Sequence, residues 1–286
     1  PFLFKMTGAN EDITTRTFFA SQITIDGSTK ARFCTIHDKH LVVSGDPSTP
    51  NTIYYSGTND IDSFSSTGSG SITLEDKVVG LKSFRNELFI FCQNSIFKLQ
   101  NINNASTVAV VPVTKNVGCL DGQTIQEIAG DLIFLAPDGF RTVAGTARIG
   151  DVELGTISQA IQPIINTIAN GADTFQFSSV VLRNKSQYRM FYSKVSDSQF
   201  VSRGVIGTLR RNGFEWSETL GISAPAITSG FTSSGVEKAY HGDKDGKIYN
   251  HNTGNSFNGT SIEAEYQSPD YDYGDLGTRK TLDYVK

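Results

Sequence analysis

The residues best suited to bind a metal or to carry acid–base or nucleophilic chemistry in this chain of 286 residues are four histidines and three cysteines. His37 and His40 flank Asp38-Lys39, an i, i+3 pair able to touch one metal ion. A zinc-type site needs three or four ligands, and no others stand close in sequence. The pair therefore reads as the two ends of a solvent-facing turn. His241 and His251 lie near Asp243 and Asp245 with no nucleophile beside them. Asp243-Lys-Asp-Gly246 has the opening of a calcium loop but lacks the remaining ligands and the closing Glu, so it reads as a hairpin turn. None of Cys34, Cys92 and Cys119 sits in a C-x-x-C spacing. Cys34, inside Ala31-Arg-Phe-Cys-Thr-Ile36, and Cys92, at the end of Leu88-Phe-Ile-Phe-Cys92, read as small buried hydrophobes. An odd cysteine count without spacing argues against a disulfide framework and suits a reducing cytoplasm.

Other chemistry-bearing patterns are missing. There is no G-x-S-x-G elbow, no phosphate-binding Gly loop, no H-E-x-x-H and no zinc-type cysteine pair. Acidic residues are numerous enough for some pair to mimic a glycosidase dyad, but spacing along a chain cannot set two carboxylates at the required separation. The Asp boxes of sialidases are absent, as are the WD dipeptide and its Gly-His partner. Trp216, the single tryptophan, lies in Phe214-Glu-Trp216 and is expected to pack between sheets rather than to offer a sugar platform. No catalytic, cofactor-binding or metal residue is assigned. The expectation is a chain that is not an enzyme and needs no cofactor.

Composition narrows the partners. A formal net charge of −4, with acids and bases interspersed, provides no basic stripe for a phosphate backbone. DNA would slide past such a surface without sticking. No apolar run approaches the roughly 20 residues that span a bilayer, so no membrane span is expected. The chain begins at Pro1 without Met and stops inside the strand-like Arg279-Lys-Thr-Leu-Asp-Tyr-Val-Lys286, which reads as a fragment or an ordered part of a longer protein.

Internal repetition indicates what must position these residues. The stretch 84–99 lies over 128–143 at a constant offset of 44, without a gap. Leu88 falls on Leu132, Phe91 on Leu135, Asn94-Ser95 on Asp138-Gly139 and Ile96 on Phe140. A looser copy, 36–44, places Leu41 a further 47 residues before Leu88. Each copy reads as strand, polar turn, apolar strand, tight turn, strand, and Asp-Gly signals a type I′ hairpin. Extension gives units with strands at 32–36, 41–44, 52–56 and 71–74, then 78–83, 88–92, 95–99 and 107–112, then 124–129, 131–136 and 140–144. A fourth unit runs 177–182, 188–192, 203–209 and 214–217, closing on Arg210-Arg-Asn-Gly213. The fifth opens at 224–227 and continues through 238–241 and 247–249, with Asp245-Gly246 at its turn. Such a sheet cannot bury both faces alone, so neighbours must stack about an axis. The expected fold is all-β, a β-propeller-like repeat of four-stranded meanders with about 5–6 blades. The propeller domain is placed at 1–260, and 261–286 is an exit segment. Strands at 17–25 and 261–266 are expected to close a further blade together.

Two segments stand outside the repeat. In 156–168 the isoleucines at 157, 161, 164, 165 and 168 have helical spacing, and Thr156 with Gln159 fits a capping box. Pro163 then implies a kink, or a short helix that begins there. The helix is expected to cover a sheet edge or the propeller floor. Ser65-Ser-Thr-Gly-Ser-Gly-Ser71 reads as a flexible connection.

Several stretches also carry a family likeness. Pro50-Asn-Thr-Ile-Tyr-Tyr-Ser-Gly57 is followed by Asp60-Ile-Asp-Ser-Phe64, then by Val79-Gly-Leu81, Phe84-Arg-Asn86, Leu88-Phe-Ile-Phe91 and Ser95-Ile-Phe97. Phe134-Leu135 with Asp138-Gly139 comes next, then Gly242-Asp-Lys-Asp-Gly-Lys-Ile-Tyr249 and the closing Ser261-Ile-Glu-Ala-Glu-Tyr-Gln-Ser-Pro269 with Gly274 and Arg279-Lys280. Their order, over roughly 30–286, resembles the tail nozzle and related propeller-bearing virion proteins of tailed bacteriophages. The resemblance implies a structural virion protein of the tail, assembled in the host cytoplasm. It implies a ring of copies around the genome conduit, contacts with neighbouring tube, adaptor and fibre proteins, and DNA met only in passage. A carbohydrate- or receptor-binding propeller is the alternative, and a propeller glycoside hydrolase a more distant one.

Overall fold

The computed structural model describes residues 4–7, 19–22, 25, 30–144, 156–195, 200–243, 245–257 and 259–265. They fall in two compact units, Pro1–His251 and Asn252–Lys286. In the first unit β1 (Phe4–Thr7) pairs with β2 (Phe19–Gln22). Five antiparallel meanders follow. The first sheet is β3 (Phe33–His37), β4 (His40–Asp46), β5 (Thr49–Tyr55) and β6 (Gly70–Thr73). The second is β7 (Val78–Phe84), β8 (Glu87–Cys92), β9 (Ile96–Gln100) and β10 (Ala109–Thr114). The third has β11 (Gln126–Ile128), β12 (Asp131–Ala136) and β13 (Gly139–Thr142). The fourth is β14 (Phe175–Leu182), β15 (Gln187–Val195), β16 (Phe200–Arg210) and β17 (Gly213–Leu220). The fifth is β18 (Ala226–Phe231), β19 (Glu237–Gly242) and β20 (Ile248–Asn250). The second unit contains the hairpin β21 (Ser256–Phe257) and β22 (Thr260–Ser261). The fold is all-β and propeller-like, a repeated meander with a short α-helix at residues 162–171 among the described residues. No helix among the described residues is long and apolar enough to cross a membrane.

The first three sheets open on the same device. Asp38-Lys39, Arg85-Asn86 and Ala129-Gly130 all have positive φ at both positions, the backbone of a type I′ turn, whose twist matches that of the strands it joins. The turn sets the register, and the register sets which side chain faces which neighbour. Leu88, Ile90 and Cys92 of β8 pack toward the first sheet with Val42, Ile53 and Tyr55. One repeat on, Leu132, Phe134 and Ala136 of β12 pack toward the second sheet against Phe89, Phe91 and Ile96. The alternate residues Ile133 and Leu135 turn the other way and meet Phe177, Tyr188 and Met190 of the fourth sheet. Leu88 and Leu132, paired by the repeat, thus hold equivalent fully buried places. Burying a side chain of this size stabilises by about 1.5–3 kcal/mol.

Several expectations are corrected. The hairpin before β13 pairs Ala136 with Gly139, so Pro137-Asp138 are its central residues and neither has positive φ. Gly139 instead follows the turn at φ 146°, where an added Cβ would stand 2.6 Å from Ser158 Oγ. Asp138 accepts the guanidinium of buried Arg141. Thr156 does not cap the helix. A 3₁₀ turn at Gln159–Ile161 leads into α1 (Gln162–Gly171), which has no side-chain cap and carries Pro163 in its first turn. The Ser158 hydroxyl accepts from Phe140 N instead (3.0 Å). Ile161, Ile165 and Ile168 bury against the third and fourth sheets, so the helix covers the seam between them. Of the strands expected at 17–25 and 261–266, the described residues show Phe19–Gln22 as β2, paired with β1, and Ser261 as the end of β22, paired with β21, while Ile262–Glu265 is not strand. Cys34 is exposed because it lies on the outer face of β3, whereas Cys92 and Cys119 are buried. Burial pushes both of those thiols up to about 12.

The second sheet and the turn that leads into the third approach closely at Gly80 and Gly122. A Cβ on Gly122 would stand 2.9 Å from Gly80 Cα, and one on Gly80 would stand 2.6 Å from Ile125 Cδ1. At Gly122 it is backbone, Val79 O and Gly80 Cα, that blocks the space. Gly122→Ala is expected to destabilise the fold by about 1–3 kcal/mol through overpacking, read as a lower urea midpoint, while exposed Gly230→Ala leaves that midpoint within error.

Candidate functional site

The first strands of the fourth and fifth sheets, β14 and β18, and the segments that lead into β3 and β11 line a cleft of about 470 Å³ in the first unit. Arg32, Asp121, Gln123, Phe175, Gln176 and Ser179 are among the residues that line it. Asp121 caps the short turn Gly122–Thr124 by accepting from Gln123 N (2.7 Å), and it stands 3.8 Å from Arg32 Nη2. Burial raises its carboxyl above the usual range, opposed by the Gln123 N–H and by Arg32. The hydroxyls around the cleft are committed to neighbouring backbone. Ser179 donates to Gln123 O and Ser178 to Ala224 O, while Gln126 Nε2 donates to Ser179 O (3.0 Å). Buried Tyr188 donates to Thr124 O (2.8 Å) and crosses from the fourth sheet to the third. Polar groups on the inner strands therefore act first as crosslinks between sheets, leaving Arg32, Asp121 and Gln123 as the groups able to meet a small polar molecule.

The histidines are buried rather than solvent-facing. His37 Nδ1 lies 2.9 Å from Ser83 Oγ of the second sheet. His40 is fully buried, its two ring nitrogens against Ser56 O and Asn103 Oδ1. Asn103 also donates to the Asp38 carboxylate. The turn at 38–39 is thereby tied to the loop after β9, which is why its flanking histidines leave solvent. They face different partners and do not converge on one point, and no group of three His, Cys, Asp or Glu among the described residues is placed to hold a metal ion. Asp243 turns its carboxylate inward to accept from Asp245 N and Lys247 N (both 2.9 Å), as a hairpin turn requires rather than a calcium loop. Trp216 stacks on Phe140 of the third sheet (4.6 Å) and donates to Ile157 O (2.7 Å), as expected for a residue packed between sheets.

His241 and His251 do come together, with a third residue that the sequence reading passed over. His241 Nδ1 lies 2.7 Å from His251 Nε2, and His251 Nδ1 lies 3.2 Å from Arg189 Nη1. Arg189 can only donate, so His251 Nδ1 accepts, its Nε2 carries the proton, and His241 Nδ1 accepts in turn. The chain of bonds is complete only with both imidazoles neutral. Arg189 occupies the place on its strand that Val42, Phe89 and Ile133 fill in the first three sheets, facing the next sheet. The signal was present in Tyr188-Arg-Met-Phe-Tyr192: a cation at an inward apolar position calls for a buried partner.

Burial holds His251 down to about 4, helped by His241 and Arg189. Burial likewise lowers His241, opposed by Asp243. An imidazole with a depressed folded pKa leaves the unfolded state binding more protons, so stability rises with pH and is lost on acidification. The contribution is complete above about 6.5 and is lost as pH falls from there toward 4. With about 1.4 kcal/mol per pKa unit, discounted for partial solvent access, His251 accounts for about 2 kcal/mol. The expected result is a urea midpoint that drops between pH 7 and pH 4.5 in the wild type, with a shallower drop in His251→Phe. Equal slopes in the two proteins would contradict the assignment.

No family model matches the chain, and no curated protein matches it. Among solved structures it is similar to the WD40 domain of SCAP from fission yeast, at 8% identity over 82% of this chain and 68% of that one, with a TM-score of 0.34.

Proposed function

We propose that this chain is a structural component of a bacteriophage tail, a nozzle- or tube-associated propeller-like protein set in a ring around the genome conduit. The observation that carries this reading is where the polar residues go. The side chains best suited to chemistry, His37, His40, Tyr188, Arg189, His241 and His251, are buried between sheets and bonded to neighbouring sheets or loops. A stack crosslinked in this way is a rigid body, and its loops are free to serve as contact surfaces. The order of short motifs along roughly 30–286 supplies the tail assignment, and the net charge of −4 suits a wall that DNA passes without adhering. The proposal assigns no catalytic residue and no cofactor. Copies in a ring would meet through heterologous, closing contacts.

The cleft favours a second reading, recognition of a surface carbohydrate, because Arg32, Asp121 and Gln123 stand beside Phe175. Cryo-electron microscopy of particles that carry the protein separates the two. The tail reading requires density for the five-sheet body in rotationally repeated copies about the tail axis, and a chain absent from purified virions ends it. Glycan-array binding that is lost in Asp121→Ala would favour the second reading.

A further inference from the structure

One corner of the first unit concentrates positive charge on a chain that is negative overall. The turn between β14 and β15 carries Arg183 and Lys185, and the turn between β16 and β17 carries Arg210 and Arg211. The strand register puts both turns at the same end of the fourth sheet, and Leu209 N donates to Ser186 O (2.8 Å) to join them. All four side chains are exposed. Only Arg210 has a carboxylate partner among the described residues, exposed Glu215 at 3.2 Å.

The corner is held in shape. Buried Glu237, at the start of β19, accepts from Arg183 N (3.0 Å) and Asn184 N (2.9 Å). The 232–236 loop closes on itself through Thr232 N to Val236 O (2.9 Å) and Val236 N to Thr232 Oγ1 (3.1 Å). Phe231 pairs with Glu237 and shares the face of Ile227 and Ser229, the face that meets the fourth sheet. It stands at the strand end, 58% exposed and near Val236 at 50%, opposite the Glu237 that holds the Arg183–Lys185 turn. An exposed aromatic beside several cations in a fixed frame matches a segment that offers carboxylates around an apolar side chain.

We propose that this corner docks an acidic segment of a protein partner, with Phe231 taking an apolar residue and Arg183, Lys185 and Arg211 pairing its carboxylates. A protein segment is favoured over nucleic acid because the patch spans two turns and the rest of the surface repels a long polyanion. The inference concerns the isolated chain and stands apart from the tail reading. The test is fluorescence anisotropy of the full chain with a labelled peptide in which Glu residues flank a single Phe, beside a labelled DNA duplex, at low and moderate salt. The peptide is expected to bind and to weaken with salt. Arg183→Glu combined with Arg211→Glu should weaken it by at least about tenfold. Arg211→Gln and Phe231→Ser should each weaken it less, and Lys247→Glu, at the opposite end of the fifth sheet, should leave it unchanged. Matching urea midpoints establish that the variants fold. Absence of peptide binding, binding that the variants leave intact, or tighter binding of the duplex through the same residues would overturn the proposal.

Discussion

A sheet of three or four strands has two faces and no means of covering both, so the structure depends on face-to-face packing of consecutive sheets. In the second, third and fourth sheets each second strand divides its side chains between two neighbours. Leu88, Ile90 and Cys92 look back to the first sheet, while Phe89 and Phe91 look forward to the third. The same alternation runs through Leu132 to Ala136 and begins again at Tyr188. Slipping one strand by a single residue would exchange the two sets and open two cores at once. The two-residue turns at 38–39, 85–86 and 129–130 guard against this, since each leaves its strands a single pairing.

Burial is not shared evenly along the stack. The cores between the first four sheets are built from large apolar side chains, whereas the apolar contact between the fourth and fifth is small, with Val180, Leu182 and Ala239 buried and Ile227 packed against them. Polar contacts take over there. Glu237 binds two backbone amides, Ser229 reaches Val181 O, Ser178 reaches Ala224 O, and the Arg189–His251–His241 chain crosses the seam. Directional bonds of this kind fix one arrangement though each contributes little net stability, and the histidine pair depends besides on its protonation. The Arg189–His251–His241 chain is accordingly where the attachment of the fifth sheet responds to pH, and the 183–185 turn, held by Glu237, lies at the same seam.

Much of the architecture was legible along the chain because it rests on local rules. Hydrophobic alternation, turn residues and the 44-residue offset located the eighteen strands of the five sheets to within a few residues, and isoleucine spacing with Pro163 located the helix. What failed locally failed for a tertiary reason. Cys34 and Cys92 sit in similar apolar surroundings in sequence, yet one faces outward and the other into a core. Thr156 and Gln159 have the spacing of a capping box, but the nearby hydroxyl of Ser158 is drawn to Phe140 N and the helix starts later.

By itself the sequence determined the class of fold, the unit that repeats and the absence of a recognisable catalytic motif, since each depends on residue types at short separations. Only the tertiary structure decided which polar residues meet. His40 and Asn103, Tyr188 and Thr124, and Arg189 and His251 are each separated by about sixty residues. Their contacts exist because stacked sheets bring successive repeats into register, and pairing across repeats leaves no periodic trace in either partner. The charged corner is of the same kind: the turns of Arg183 and Arg211 reach one end of the sheet only once β14, β15, β16 and β17 have folded back on one another.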